Sequence, residues 1–251
     1  MRPLFTIVTP AYNRERFITE TLYSVLNQKF TDWNMVIVDD GSKDKTVKVI
    51  DNILKVTKQA HKVKLVQFPK NRGCAAATIE GIKHVDGIFF TVVDSDDILY
   101  PDSLSSIAKQ LMKNRNVKFL WSKFVQAAAL NHGIMQNGYS KELPKGQTLR
   151  KALSGGWWGA QHQKVCHTET YRLSKYPILE KYQYAVDFQL AVAMAETHCP
   201  VKFLDKVTYF LRLHQWRMSN TVRTLQRSMY DKLRLEMQDR YTKDRKKARQ
   251  L

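Results

Sequence analysis

Long hydrophobic runs are absent from this sequence. None of its apolar stretches reaches the roughly 18–20 residues that a transmembrane helix needs. Residues Met1 to Val8 lead directly into a β-branched run, without the charged region and cleavage site of a secretory signal. We therefore expect a cytoplasmic protein, and a peripheral position at the inner membrane surface is the closest membrane association that we expect.

Two further absences narrow the class of protein. The three cysteines, Cys74, Cys166 and Cys199, are too few and too widely spaced for a zinc site or a disulfide framework, so free thiols in a reducing compartment are expected. The sequence also contains neither G-x-G-x-x-G at the start of a helix nor G-x-x-x-x-G-K-[ST]. An NAD-type fold and a P-loop are therefore disfavoured.

Acidic residues are few relative to basic ones. The chain has 41 Lys and Arg against 23 Asp and Glu, a formal net charge of +18. From residue 201 onward there are 14 Lys and Arg against 5 Asp and Glu, a net of +9 and half of the total excess. Such an excess favours a polyanionic partner, whether nucleic acid, anionic lipid headgroups or a phosphorylated glycan. A soluble basic enzyme without such a partner is the alternative.

Apolar runs and helical patterns alternate through the first 112 residues. Strands are predicted near residues 4–9, 33–39, 63–68 and 88–93, with helices near 17–28, 42–54, 74–85 and 104–112. This order predicts an α/β fold with a mainly parallel, Rossmann-like sheet flanked by helices.

The regular alternation of apolar runs and helical patterns ends after residue 112. We expect one domain over residues 1–220, with halves at 1–112 and 113–220, followed by a basic amphipathic helix at 221–251. Such a helix is typical of a membrane-surface element or a nucleic-acid contact. The alternative is a helix that packs on the domain and keeps a solvated outer face.

Carboxylates follow two of the predicted buried strands. The run that begins at Trp33 stops at Asp39 and Asp40, and the apolar run Phe89 to Val93 stops at Asp94, Asp96 and Asp97. On an extended backbone Asp94 and Asp96 point to the same side, where their oxygens suit Mg²⁺ or Mn²⁺ with a phosphate-bearing substrate. A solvated turn that caps the next helix is the alternative. Because the carboxyl ends of parallel strands share one edge, three polar loops are expected to meet there: residues 10–14, 39–42 and 94–97.

Four ordered motifs resemble those of family 2 glycosyltransferases of the GT-A fold. They are Thr9-Pro10-Ala11-Tyr12-Asn13, Val38-Asp39-Asp40-Gly41-Ser42, Asn71-Arg72-Gly73 and Asp94-Ser95-Asp96-Asp97. A weaker resemblance to the acceptor half of this family continues at His162-Gln163, Tyr171-Arg172, Ala185-Val186-Asp187-Phe188, and Arg212-Leu213-His214 with Ser219.

The resemblance implies how a donor would bind. Pro10, Ala11 and Tyr12 would line the nucleotide base, and Asp40 would hydrogen-bond it. Asp94 would reach the ribose or the sugar. The family often carries Arg-Asn in the helix after the Asn-x-Gly turn, where this chain has Thr78-Ile79, so a basic contact to the donor is expected from Arg72 or Arg217.

The resemblance also implies the reacting groups. Asp96 would bind the divalent cation, Mn²⁺ or Mg²⁺, on the diphosphate, and His214 and Arg217 would lie near the pyrophosphate. Its arginine neighbours make His214 suitable for an anion or metal site. Asp187, which follows Val186 where Glu is frequent, would be the general base that deprotonates the acceptor hydroxyl. The alternative for Asp187 is a salt-bridged helix residue.

Three residues keep two interpretations each. Trp157 and Trp158 either stack on a sugar or a base, or pack within a glycine-rich turn. His162 either contacts an acceptor or is a core histidine.

The predicted function is a metal-dependent inverting glycosyltransferase. It would move a sugar from a nucleotide sugar, UDP-linked, to a hydroxyl of a glycan or lipid-linked saccharide at an anionic surface. The alternative keeps this chemistry with a nucleic-acid acceptor, a hydroxylated base of phage-type modified DNA, because phosphates of lipid and of DNA attract the same side chains. A non-enzymatic protein that binds nucleic acid through its C-terminal helix is a third hypothesis.

Overall fold

Helices cover both faces of a single mixed β-sheet in the computed structural model of the chain. The structure describes residues 2–128, 136–138, 140–217 and 222–248. Ser219, the last residue of the family resemblance, lies outside this part of the chain. Within it, no helix is long and apolar enough to span a membrane.

Strands and helices alternate in the first half of the chain, as the hydrophobic pattern predicted. The strands are β1 (Phe5–Ala11), β2 (Trp33–Asp39), β3 (Val63–Gln67), β4 (Phe89–Val92), β5 (Ile98–Leu99), β6 (Phe119–Ala127), β7 (Gln136–Asn137), β8 (Lys164–His167) and β9 (Val201–Arg212). The helices are α1 (Ile18–Leu26), α2 (Thr46–Thr57), α3 (Cys74–Lys83), α4 (Ser103–Lys113), α5 (Leu149–Ser154), α6 (Thr168–Arg172), α7 (Val186–Ala195) and α8 (Arg223–Lys247).

The sheet is parallel where the alternation is regular and mixed beyond it. Its order is β3-β2-β1-β4-β8-β6-β9-β5, and β7 pairs with β6. The strands β3, β2, β1 and β4 are parallel, whereas β8 is antiparallel to both β4 and β6. Phe5 of β1 is in register with Trp33 of β2 and Phe89 of β4, so the carboxyl ends of these strands lie at one edge. The predicted α/β architecture is confirmed.

The helix α2 starts later than its sequence pattern suggested. The helical pattern placed the start near residue 42, but the first helical residue is Thr46. The Ser42 N–H donates to Asp39 Oδ2 at 3.1 Å, and the Thr46 N–H donates to Asp44 Oδ1 at 2.9 Å. Such side-chain acceptors offer the backbone an alternative to helical hydrogen bonds, so the segment forms a polar loop at the edge of the sheet.

The C-terminal helix α8 packs against the domain. Leu233 and Met237 are buried in the same hydrophobic cluster as Phe188 of α7. Arg150 of α5 forms an ion pair with Asp244 of α8 at 2.6 Å. These contacts agree with the packed alternative for this helix, and the domain boundary expected at residue 220 stays a prediction.

Candidate active site

A cavity of about 480 Å³ opens at the carboxyl ends of β1 and β4. Its walls come from the loops after these strands, from the loop after β2, and from β8, α7 and α8. The expectation that three polar loops meet at one edge is therefore confirmed. The predicted site residues that line the cavity are Pro10, Ala11, Tyr12, Asp40, Asp94, Asp96, Asp187 and Arg217.

The segment after β4 is a turn at Ser95 and Asp96 rather than an extended strand end. Asp94 and Asp96 nevertheless both line the cavity. Asp97 is a buried residue of the same cavity lining, and it accepts hydrogen bonds from Tyr209 Oη and from the Arg212 N–H, both at 2.8 Å. Burial and the charges of Asp96 and Asp94 raise the pKa of Asp97 well above its ordinary value. The turn is therefore an internal part of the site and not a solvated cap.

Two basic side chains hold Asp96. Arg14 Nε donates to Asp96 Oδ2 at 3.1 Å, and His214 Nε2 lies 3.2 Å from the same oxygen. Burial acts to raise the pKa of Asp96, but the hydrogen bond from His214 and the charges of Arg14, His214 and Arg217 together keep it below its ordinary value. Asp96 is therefore an ionised carboxylate at neutral pH.

Asp94 has the opposite electrostatic environment. Burial is the main cause that raises the pKa of Asp94 to about 6, and repulsion from Asp96 and Asp187 adds to it. The charges of Lys164 and Arg217 act in the other direction. The cavity thus concentrates negative charge where a cation would lower the energy of the site.

The pair of Asp94 and Asp96 fits a divalent cation that shares its ligands with a substrate. Within the described residues, no three His, Cys, Asp or Glu side chains form a metal cluster. One or two carboxylates with substrate phosphates and water are a usual coordination for Mg²⁺. Arg14 and His214 both contact Asp96 at Oδ2, so these two contacts leave Oδ1 of Asp96 for a cation. The assignment of His214 as a metal ligand stays a prediction.

Asp40 anchors the Asn-Arg-Gly turn. Its two carboxylate oxygens accept hydrogen bonds from the Arg72 N–H at 2.6 Å and from the Gly73 N–H at 2.8 Å. Burial raises the pKa of Asp40, and these two hydrogen bonds partly offset that effect. The neighbouring Gly41 has a φ of +71°, and an added Cβ would lie 2.6 Å from the carbonyl carbon of Lys70. The two turns are therefore packed backbone against backbone.

The Arg72 side chain does not line the cavity. Its guanidinium stacks over Phe68 at 4.8 Å and forms an ion pair with Glu180 at 3.1 Å. Its donor contact stays a prediction, and Arg14 and Arg217 are the arginines that line the cavity.

Asp187 lies in the first turn of α7 and faces the same cavity. Its Oδ1 accepts hydrogen bonds from the Phe188 N–H and from Tyr230 Oη, both at 2.8 Å. No ion pair between described residues includes Asp187. The salt-bridged alternative is therefore not what the structure shows, and the assignment of Asp187 as the base stays a prediction.

Sequence reasoning missed three residues of the site: Arg14, Lys164 and Tyr230. Lys164 is only 5% exposed and lines the cavity, and burial lowers its pKa against the charges of Asp187 and Asp94. A lysine at the start of the apolar run of β8 was the available signal. Arg14 and Tyr230 carried no comparable signal, because charged and aromatic residues are common in loops and amphipathic helices.

The two tryptophans have packing contacts. Trp158 meets Phe188 edge to face at 4.8 Å, and Trp157 meets Trp121 at 6.0 Å. Neither lines the cavity. His162 stacks on Tyr209 at 5.0 Å and also lines the cavity, and its contact with an acceptor stays a prediction.

The fold and the site define the class of protein. Residues 6–154 match the family described as glycosyl transferase family 2, and this chain belongs to that family. The chain therefore has the GT-A architecture that its motifs implied.

Two relatives illustrate the extent of the likeness. An uncharacterised glycosyltransferase of Haemophilus influenzae is 36% identical over 115 residues, which are 46% of this chain and 45% of that protein. The UDP-Glc:alpha-D-GlcNAc-diphosphoundecaprenol beta-1,3-glucosyltransferase WfgD of Escherichia coli is 30% identical over 122 residues, which are 48% of this chain and 46% of that protein. The matched segments thus span about half the length of these relatives.

Solved structures show the same fold. TarS of S. aureus, in complex with UDP-GlcNAc, matches with a TM-score of 0.66 and 23% identity over 85% of this chain and 59% of that one. The mannosyltransferase PcManGT from Pyrobaculum calidifontis, in complex with GDP-Man and Mn²⁺, matches with a TM-score of 0.62 and 20% identity over 86% of this chain and 59% of that one. At these identities the likeness concerns the fold.

Proposed function

We propose that the chain transfers a sugar from a UDP-linked donor to a hydroxyl group of a glycan or a lipid-linked saccharide, with inversion and with a divalent cation bound. The observation that carries this proposal is the convergence of Asp94, Asp96 and Asp187 on one cavity. The name of WfgD, which includes a UDP-sugar donor and a diphosphoundecaprenol-linked sugar, and the UDP-GlcNAc complex of TarS support the choice of substrates.

The base of the donor would lie against Pro10, Ala11 and Tyr12. Tyr12 is 38% exposed and lines the cavity, which leaves a ring face for stacking. Asp40 forms part of the same wall, and its carboxylate oxygens keep lone pairs for a hydrogen bond to the base after accepting the two N–H groups.

The diphosphate would lie between the acidic turn and Arg217. Asp94 and Asp96 would hold Mn²⁺ or Mg²⁺, which supplies electrostatic stabilisation to the leaving diphosphate. Arg14 and His214 orient Asp96 through its Oδ2. Arg217 adds a positive charge that acts on both aspartates, so it suits the phosphate end of the cavity.

Asp187 would accept the proton of the acceptor hydroxyl. Its Oδ1 already accepts two hydrogen bonds, which leaves Oδ2 to take the proton. The acceptor oxygen then forms a bond to the anomeric carbon, while the bond from that carbon to the diphosphate oxygen breaks and the diphosphate keeps the electron pair. A single displacement of this kind inverts the anomeric centre.

A panel of nucleotide sugars tests the donor and the cation. We expect a UDP-sugar to raise the melting temperature in the presence of Mn²⁺, because a ligand that binds only the native state stabilises it. Asp96→Asn should abolish the Mn²⁺-dependent part of this shift. The matched control is Asp102→Asn, since Asp102 pairs with Lys206 away from the cavity. The proposal fails if no nucleotide sugar stabilises the native protein and no nucleotide is released from any of them.

The acceptor surface is proposed to be anionic. Helix α8 presents seven exposed basic residues against three exposed acidic ones: Arg223, Arg227, Lys232, Lys243, Arg245, Lys246 and Lys247 against Asp231, Asp239 and Asp244. Sedimentation with vesicles that contain an anionic lipid should retain the protein, and Lys246→Glu with Lys247→Glu should weaken this retention. Binding to naked duplex DNA without binding to vesicles would favour the nucleic-acid acceptor instead.

A further inference from the structure

Tyr230, on the C-terminal helix α8, touches the carboxylate that we propose as the general base. Its Oη donates a hydrogen bond to Asp187 Oδ1 at 2.8 Å, across 43 positions in the sequence. The N–H of Phe188 donates to the same oxygen at 2.8 Å. One oxygen of the base is therefore held from two different helices.

The tyrosine ring is held in place by its neighbours. It packs edge to face on Phe188 at 5.6 Å and lies against Trp158 at 6.2 Å. Gln226 Nε2, one turn earlier on α8, donates to Tyr230 Oη at 3.3 Å. Burial and the charge of Asp187 raise the pKa of Tyr230 well above its ordinary value, so the hydroxyl keeps the proton that it donates.

The helix that carries Tyr230 has its own anchors on the domain. Leu233 and Met237 are buried, and Tyr182 Oη donates to Glu236. Gln226 lines the cavity. The beginning of α8 is thus a wall of the cavity, and the middle of the helix supports that wall.

We propose that Tyr230 is a positioning residue for sugar transfer, and that α8 is therefore a part of the active site. This inference rests on the proposed function, because it takes Asp187 as the base. Two donors on Oδ1 set the plane of the carboxylate and leave Oδ2 for the acceptor proton. A hydroxyl donor also favours the ionised carboxylate, which is the form that accepts a proton.

Other charges face Asp187 from two neighbouring elements. Lys164 of β8 and Asp94 after β4 both interact electrostatically with it across the cavity. Neither forms an ion pair or a hydrogen bond with Asp187 in the described part of the chain. The Tyr230 hydroxyl is therefore the side-chain donor that contacts the proposed base there.

The substitution Tyr230→Phe removes the hydroxyl and keeps the ring. We expect kcat to fall about tenfold or more, with the donor KM within about twofold, because the base loses its orientation and not the donor site. The acidic limb of the pH–rate profile should move to higher pH, since the ionised carboxylate loses a donor. Tyr182→Phe is the matched control, because it removes a tyrosine-to-carboxylate hydrogen bond at the same helix but outside the cavity.

A titration of the Asp187 carboxyl carbon by NMR reads the hydrogen bond without turnover. Its midpoint should lie at higher pH in Tyr230→Phe than in the native protein and in Tyr182→Phe. An unchanged midpoint overturns the inference, and so does an equal loss of kcat in both tyrosine variants. If instead the native protein transfers no sugar while the midpoint still moves, the hydrogen bond exists and the proposed function is what fails.

Discussion

His214 Nε2 lies 3.2 Å from Asp96 Oδ2, although 118 positions separate the two residues in the sequence. Arg14 Nε reaches the same oxygen from the loop after β1 at 3.1 Å. The His214 ring stacks on Phe17 at 4.1 Å, which supports it from the other side. One oxygen of Asp96 is thus held by two segments that are remote from it in the chain.

Removing the imidazole should weaken donor binding. In His214→Ala, the Asp96 carboxylate loses a hydrogen-bond donor, and a hydrogen bond to a charged group contributes about 1.5–3 kcal/mol. We expect the Mn²⁺-dependent affinity for the UDP-sugar to fall by about tenfold to a hundredfold, measured by calorimetry. His84→Ala is the control, since His84 pairs with Glu80 away from the cavity. Equal affinities of native protein and His214→Ala would contradict the role of this contact.

Neutralising Asp94 should stabilise the ligand-free protein. The pKa of Asp94 is about 6 in the folded state, mainly through burial, against 3.8 for an unperturbed group. The folded state therefore holds this proton more tightly, and the contribution of Asp94 to stability falls as pH rises from about 4 to about 6. In urea unfolding, Asp94→Asn should gain about 1–3 kcal/mol at pH 7 and less at pH 5.

The same variant should lose activity, because the amide cannot replace the charge that a cation needs. An Asp94→Asn protein that is less stable than the native one at pH 7 would contradict the raised pKa of the Asp94 carboxyl. Measurements in a chelator keep adventitious cations from masking the difference.

Tyr209 links the two ends of the acidic turn. The Asp94 N–H donates to Tyr209 Oη at 3.2 Å, and this hydroxyl donates to Asp97 Oδ2 at 2.8 Å. Tyr209→Phe removes the acceptor of the Asp94 N–H and one of the two hydrogen bonds of Asp97 in a buried site, so unfolding in urea should show a loss of about 1–3 kcal/mol. Tyr176→Phe, at a 37% exposed residue, should change stability by less than about 0.5 kcal/mol. Equal losses of stability in Tyr209→Phe and Tyr176→Phe would contradict the structural role of the Tyr209 hydroxyl.

Two glycines with positive φ separate backbone strain from crowding. Gly41 has a φ of +71° and Gly146 a φ of +74°, but an added Cβ meets the backbone of Lys70 and Asn71 at Gly41 and nothing within 4 Å at Gly146. We expect Gly146→Ala to cost about 1 kcal/mol from strain alone and Gly41→Ala about 3 kcal/mol or more. Thermal unfolding measures both.

Gly41→Ala should also weaken UDP-sugar binding, because the turn that Asp40 anchors must shift. Gly146→Ala should leave that binding unchanged. Similar losses of stability in the two variants would contradict the tight packing of the turns.

Most of the fold of residues 1–112 could be predicted from the sequence. The strands β1 to β4 and their helices follow local hydrophobic periodicity, and local periodicity does not depend on distant partners. The meeting of the carboxylates that follow these strands was also predictable, because parallel strands bring their carboxyl ends to one edge of the sheet. The prediction of an extended backbone at Asp94 and Asp96 was wrong. The chain turns at Ser95 and Asp96, which lets Asp97 reach Tyr209 and the Arg212 backbone.

The support of the site could not be predicted in this way. The Arg72 side chain lies between Phe68 and Glu180, the latter 108 residues away in sequence, and no sequence pattern indicated these contacts. Lys164 and Arg14 are ordinary basic residues until the sheet places them beside carboxylates. The direction in which these two side chains point depends on which strands are neighbours in the sheet, and no short sequence pattern contains that information.

Short-range patterns were thus enough for the α/β class, the four motifs and the acidic edge, because periodicity and strand ends are local properties of a chain. The meeting of Tyr230 with Asp187, and of His214 with Asp96, required the folded chain. These pairs form only when α8 packs on α7 and β9 pairs with β6, and such long-range packing depends on the shape of the whole core.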